Sequence, residues 1–190
     1  DVYQGSPSPV SGFMSVAVKA AGFAVLLRIF LTAFPGLAAT LAPAVWVIAA
    51  LTMIVGNVMA IIQSNIKRLL AYSSIAHAGY MLMAFVPYGS EQAAGQSVAA
   101  MIFYLIAYGL TTFGAWAVVV SLEQAEGKGL ALDDYAGLGP KYPWLGVAMT
   151  VFMLSLTGVP LTLGFWGKFY LFKTAVDAGY AGLALVGLIT

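Results

Sequence analysis

Between Arg28 and Lys67 the chain carries no charged residue, and the stretch LAPAVWVIAALTMIVGNVMAII inside that interval is almost wholly apolar. About 20 such residues are what a helix needs to cross the hydrocarbon core of a bilayer. Lipid offers no hydrogen bonds, so a segment of this kind must satisfy its backbone internally, and a helix does so. Similar runs lie on both sides of it. With 62% hydrophobic and 8% charged residues and a mean hydropathy of +0.95, the chain lies far outside the range of soluble domains. The sequence therefore predicts an all-α, polytopic transmembrane helix bundle.

The same composition excludes several kinds of function. A net charge of +1 leaves no basic patch that would track phosphates. Without cysteine there are no disulfides, no thiolate-held iron–sulfur clusters and no cysteine nucleophile. One histidine builds no metal site unaided.

The chain reads as one transmembrane domain over residues 1–190, with spans at about 10–34, 41–62, 66–86, 92–122, 144–176 and 179–190. The Pro/Gly/Ser-rich DVYQGSPSPV leads into the first span, and FPGLA, QSNIKR and PYGSEQ turn the chain. EQAEGKGLALDDYAGLGPKYP is the long polar connection. The fifth span is interrupted near 157–164 by TGVPLTLG, where Pro160 removes a backbone donor and flanking glycines loosen the helix. Broken helices at membrane depth survive where the freed groups face protein or a watery cavity, and in transporters they mark the ion or substrate site. Asp1 rather than Met opens the chain and the sixth span is short, so both ends read as cut from a longer polytopic protein.

Orientation follows from the cations. If the first span runs from inside to outside, Lys67, Arg68, Lys128 and Lys141 all fall inside, while Lys173 lies near an outer end. Trp46, Trp116 and Trp144 near span ends would form an aromatic belt.

Two lysines within the spans are the strongest pointers to function. Lys19, in FMSVAVKAAGF, and Lys168, in GFWGKFY, have no carboxylate in their own stretches, since Asp1, Glu91, Glu123, Glu126, Asp133, Asp134 and Asp177 all lie at chain ends or in polar connections. A lone ammonium at membrane depth costs roughly 2.5–3.5 kcal/mol even on lenient scales. Snorkelling to the headgroups is the plain structural explanation. Depth argues against it for Lys19, and the adjacent helix break argues against it for Lys168. A lysine held there by water or by a distant partner can load and release a proton.

Other residues invite two readings. Lys67 and Arg68 read as inside-facing topogenic charges, and Arg28 as a snorkelling or structural one. Ser73, His77 and Tyr80 share a helical face near Tyr72 and Ser74. His77 is either a satisfied packing residue or a proton relay. Gly56 and Asn57 fit close packing and an interhelical hydrogen bond. Tyr104 and Tyr108 line one face of the fourth span, with packing as the default role.

Three ordered blocks carry a resemblance across the whole chain. DVYQGSPSPV with VKAAGFAVLLRIF, then SNIKRLLAYSSIAHAGYM, then MLSLTGVPLTLGFWGKFYLF resemble the antiporter-like subunit N family of respiratory complex I, the proton-translocating NADH:quinone oxidoreductase. Sister antiporter-like subunits and Mrp-type sodium/proton antiporters share the fold; lysine rather than glutamate in GFWGKF is most similar to subunit N. The resemblance implies about fourteen transmembrane helices containing two inverted repeats, each with a discontinuous helix. It implies that Lys19 is the central relay of a proton path and Lys168 its exit-side relay. Lys67, Tyr72 and His77 then belong to the same path. Leu161 departs from the family, where many relatives have a second proline.

The function implied by the resemblance is that of a membrane subunit moving protons through buried lysines and water, driven by redox energy released elsewhere in the complex. The expected place is the bacterial inner membrane, beside other complex I membrane subunits, including sister antiporter-like subunits, and lipid. No cofactor is expected in this chain; FMN, iron–sulfur clusters and quinone belong to partner subunits. The alternatives are a subunit of a Mrp-type cation/proton antiporter and a membrane scaffold that pumps nothing.

Overall fold

A computed structural model of the chain describes residues 2–33, 37–87, 91–127 and 129–190. Asp1, Lys128, residues 34–36 of the FPGLA break and residues 88–90 of the PYGSEQ turn lie outside the described residues. Apolar runs and the backbone's need for internal hydrogen bonds give helices throughout. Helix α1 is Ser8–Arg28, α2 Ala38–Ile61, α3 Ile66–Met83 and α4 Glu91–Glu126. They are followed by α5, Pro143–Thr157, α6, Leu163–Asp177, and α7, Ala181–Ile189. Helices α1, α2 and α4 contain stretches long and apolar enough to span a membrane, and α5 is a shorter apolar helix.

Helix α1 is not uniform. Met14–Val18 is a π-helical turn, and a second one, Ile29–Ala33, continues the helix beyond Arg28. Such turns are rare and frequently sit at functional positions. Lys19 follows the first directly.

Helix α3 is where the bundle converges. It packs most extensively on α2, while α4 packs on α1, α5 and α6. Small residues make the first contact possible: a Cβ on Gly56 would lie 2.5 Å from the backbone nitrogen of Ala76. Membrane helices gain affinity through such backbone approaches. Gly56→Val is expected to destabilise the α2–α3 pair by about 1–3 kcal/mol; thermal unfolding of the detergent-solubilised protein checks this, and an unchanged midpoint would refute it.

One end of the bundle gathers the start of α3, the end of α4 and the polar connection. The Asn65 side chain caps α3 by accepting from the backbone of Lys67 and Arg68. The Ile66 amide donates to the Leu130 carbonyl and the Leu132 amide to the Ser64 carbonyl, both at 2.9 Å. Lys141 pairs with Glu126 at the same end. The cations read as inside charges that fall within the described residues thus cluster together, and Lys173 pairs with Asp177 within α6 at 3.5 Å. Trp116 does not fit the aromatic belt. It is 2% exposed and packs against Gly12 of α1, because it lies well inside the long helix α4 rather than at its end. Trp144, by contrast, is open to the surroundings.

The interruption between α5 and α6 is built from specific chemistry. Gly158 takes the left-handed conformation (φ 87) that ends α5, and the amides of Gly158 and Val159 return to the Leu154 carbonyl. Thr162 opens α6, its hydroxyl accepting from the Phe165 amide. Leu161 between them has φ 78, a conformation that costs a non-glycine residue about 1–2 kcal/mol. A proline ring, locked near −65°, has no access to it, so this loop conformation excludes proline at position 161.

Candidate functional site

The site is organised along α3, from the polar end of the bundle inward. Lys67 stands in the first turn and is buried, with 5% exposure. Its ammonium donates to the Ser6 carbonyl at 3.2 Å and pairs with Glu123 at 3.4 Å. Lys67, read from the sequence as an inside-facing topogenic charge, is thus one half of a buried ion pair. Sequence reasoning misses Glu123 because the pairing joins the ends of two different helices; its one sequence signal is that it closes the span that returns to the side where Lys67 begins.

Two turns further along α3, Ser74 meets Lys19. The Lys19 ammonium donates to the Ser74 hydroxyl at 2.6 Å and also to the Ser74 carbonyl. Lys19, with no carboxylate partner among the described residues, is thus held by oxygens of the neighbouring helix. The Tyr108 hydroxyl donates to the Ser15 carbonyl in the π-helical turn just before Lys19, at 3.2 Å. Helices α1, α3 and α4 meet around this point.

His77 comes one turn after Ser74, on the same side of α3. Its Nδ1 lies 2.5 Å from the Tyr104 hydroxyl, and the rings of Tyr80, Tyr104 and Tyr108 surround it at 5.0–5.9 Å between centroids. Lys19 and Lys168 both lie within Coulombic reach of the imidazole. Tyr104 thus has a partner beyond packing, a role that the sequence signalled only by its shared face with Tyr108. Tyr80 extends the same row. Its hydroxyl accepts from Asn57 of α2 at 3.4 Å, which is the interhelical bond expected of Asn57.

Lys168 reaches this row from α6. Its ammonium stands 4.6 Å from the Tyr80 ring centre, a cation–π distance, and donates to the Thr157 carbonyl at 3.1 Å. That carbonyl is at the end of α5, where the helix dipole is negative and favours a cation. The helix break thus provides a seat for the lysine. A cavity of about 600 Å³ opens beside it, lined by Asn57, Ser73, His77, Tyr80, Thr157 and Lys168 together with apolar side chains. It is large enough and polar enough to hold water.

The structure therefore brings Lys67, Lys19, His77 and Lys168 to one helix, each through a different α3 position. Tyr72 is not brought to them. It is half-buried and lies two residues, or about 200° around the helix, from Ser74.

Comparison with known proteins bears on the whole chain. The family described as NADH:quinone oxidoreductase/Mrp antiporter, transmembrane, matches residues 1–190. The chain belongs to this family. Its curated relatives include NADH-quinone oxidoreductase subunit N of Trichlorobacter lovleyi, 52% identical over 190 residues covering 100% of this chain and 38% of the relative. Subunit N 3 of Streptomyces griseus is 46% identical, again over the full chain and 33% of the relative. The chain thus spans about a third of the length of these family members. Among solved structures, the Mrp complex from a Dietzia species contains a chain with a TM-score of 0.85 at 23% identity, covering 98% of this chain and 34% of that one. The membrane-bound sulfane sulfur reductase, an archaeal respiratory membrane complex, gives a TM-score of 0.82 at 25% identity, covering 98% and 38%. These likenesses establish the antiporter-like fold, with its discontinuous helix, for this integral membrane protein.

Proposed function

We propose that this chain forms part of a proton-translocating membrane subunit of NADH:quinone oxidoreductase in a bacterial inner membrane, working beside other antiporter-like subunits. The observation that carries the reading is the row along α3: Lys67 at one end, Ser74 holding Lys19, His77 in the middle, and Tyr80 under Lys168. A proton crossing a bilayer needs titratable groups spaced closely enough for ordered water to bridge them. Lys19 serves as the central relay and Lys168 as the relay on the far side, with His77 and its tyrosines between them. The chain carries out no redox chemistry; the driving energy reaches it from quinone reduction in partner subunits through the charge state of the lysine row.

The identity to subunit N relatives supports this reading over a Mrp-type antiporter, for which the likeness to the Dietzia structure speaks to fold alone. Replacing Lys168 by Ala in the complete complex tests it against a scaffold role. Proton pumping is expected to fall at least about tenfold, a conservative bound beside the roughly hundredfold or more that a positioned acid–base group typically contributes. Assembly on a native gel should stay intact, since Lys168 is held by one carbonyl and one ring. Wild-type quinone reduction and pumping in a fully assembled complex would sink the proposal.

A further inference from the structure

We infer that Glu123 is the proton-exchanging partner of Lys67, so that the pair forms the gate through which protons pass between the polar connection and the α3 row. The inference rests on the proposed proton translocation. Among the described residues, the Lys67 ammonium has two partners, and the Ser6 carbonyl cannot carry a proton. The Glu123 carboxylate can.

The two side chains are unequal: Lys67 is 7% exposed and Glu123 26%. The carboxylate is the more exposed half of the pair, on the side of the polar connection, and the ammonium is the more buried half. Both charges also stand at the disfavoured ends of their helices, a cation in the first turn of α3 and an anion in the last turn of α4. Helix stability does not account for either placement. Each offsets the other only as long as they remain paired.

The polar connection folds over the pair and fixes its surroundings. The Ile66–Leu130 and Ser64–Leu132 backbone bonds hold the connection to the start of α3. Asp134 accepts from the Gly129 and Ala131 amides at 3.0 and 3.1 Å. Tyr135 donates to the Gly129 carbonyl at 3.0 Å, and burial, followed by the nearby Glu123 and Asp134 charges, pushes its phenol well above the usual range. Tyr135 therefore stays neutral and walls the site without competing for the proton.

The step balances with one proton in and one out. Lys67 releases a proton from its ammonium to water along α3 and becomes a neutral amine. Glu123 takes a proton from the polar side as a neutral acid, then passes it to the Lys67 amine, and the ion pair is restored. The reverse sequence serves flow in the other direction.

The test uses the assembled complex in native membrane vesicles, with Glu123→Gln, Glu123→Asp and the exchanged pair Lys67→Glu/Glu123→Lys. Glu123→Gln should lower pumping about tenfold or more, and Glu123→Asp should retain most of it. The exchanged pair should assemble, because the attraction is preserved, but should pump as poorly as Glu123→Gln, because the carboxylate now faces inward. Wild-type pumping by Glu123→Gln, or pumping restored by the exchanged pair, would overturn the inference; if Glu123→Gln does not assemble, the exchanged pair decides alone. Lys168→Ala run alongside separates the two claims. Lost pumping there with normal pumping in Glu123→Gln refutes the gate and leaves the relay standing, whereas normal pumping in both refutes the relay as well.

Discussion

Gly164→Ala should all but abolish assembly of the subunit. A methyl group at this position would lie 1.7 Å from the Ser155 carbonyl oxygen and 2.7 Å from its carbonyl carbon. Those are backbone atoms of the other half-helix, so no flexible side chain can swing away. The Gly164 amide also donates to the Ser155 hydroxyl at 3.0 Å, and that hydroxyl lies 3.1 Å from Thr111 of α4. Separating α5 from α6 would therefore break the tie to α4 and carry Lys168 away from Thr157. Overpacking normally costs about 1–3 kcal/mol, and a clash this close with the Ser155 backbone places this case at or above the upper end. Gly182→Ala provides the control, since its added carbon would meet nothing nearer than a Trp46 atom at 4.0 Å. The amount of assembled subunit in membranes is the measurement. Equal amounts of both variants would mean that the two half-helices are not packed as described.

The second large effect is expected at His77. His77→Leu should lower proton pumping at least about tenfold, as for the loss of an acid–base group. It should also destabilise the bundle, because the Tyr104 hydroxyl, in a residue 1% exposed, loses its partner at 2.5 Å. An orphaned buried hydroxyl costs about 1–3 kcal/mol. The two effects separate in the double variant His77→Leu/Tyr104→Phe, which removes both partners and should recover most of the lost stability. Pumping should stay low in that variant, since the imidazole proposed to link Lys19 and Lys168 is still missing. If pumping returns along with stability, His77 is a packing residue and the row works without it.

How much of this was legible in the sequence varies residue by residue. The break in the fifth span was plain from TGVPLTLG, because proline and glycine act on their own backbone. The close approach at Gly56 and the bond from Asn57 were legible for a similar reason, as few roles suit such residues inside a membrane helix. The partners of Lys19, His77 and Lys67 were not. The first lies 55 residues away and the second 27, and nothing local specifies which turn of which helix will arrive there.

Trp116 makes the same point from the other side: its place near the end of a predicted span suggested an aromatic belt at the membrane interface, and its packing on Gly12 put it in the interior. The sequence by itself determined that the chain is a membrane bundle of helices, where one helix breaks, and that lysines stand inside its spans. Hydrophobicity and backbone freedom are properties of each residue and its immediate neighbours, so they can be read along the chain. Only the tertiary structure decided that Glu123 answers Lys67, that Ser74 holds Lys19, and that α3 lines these charges up. Those contacts depend on how helices face one another, which is set by packing across the whole bundle.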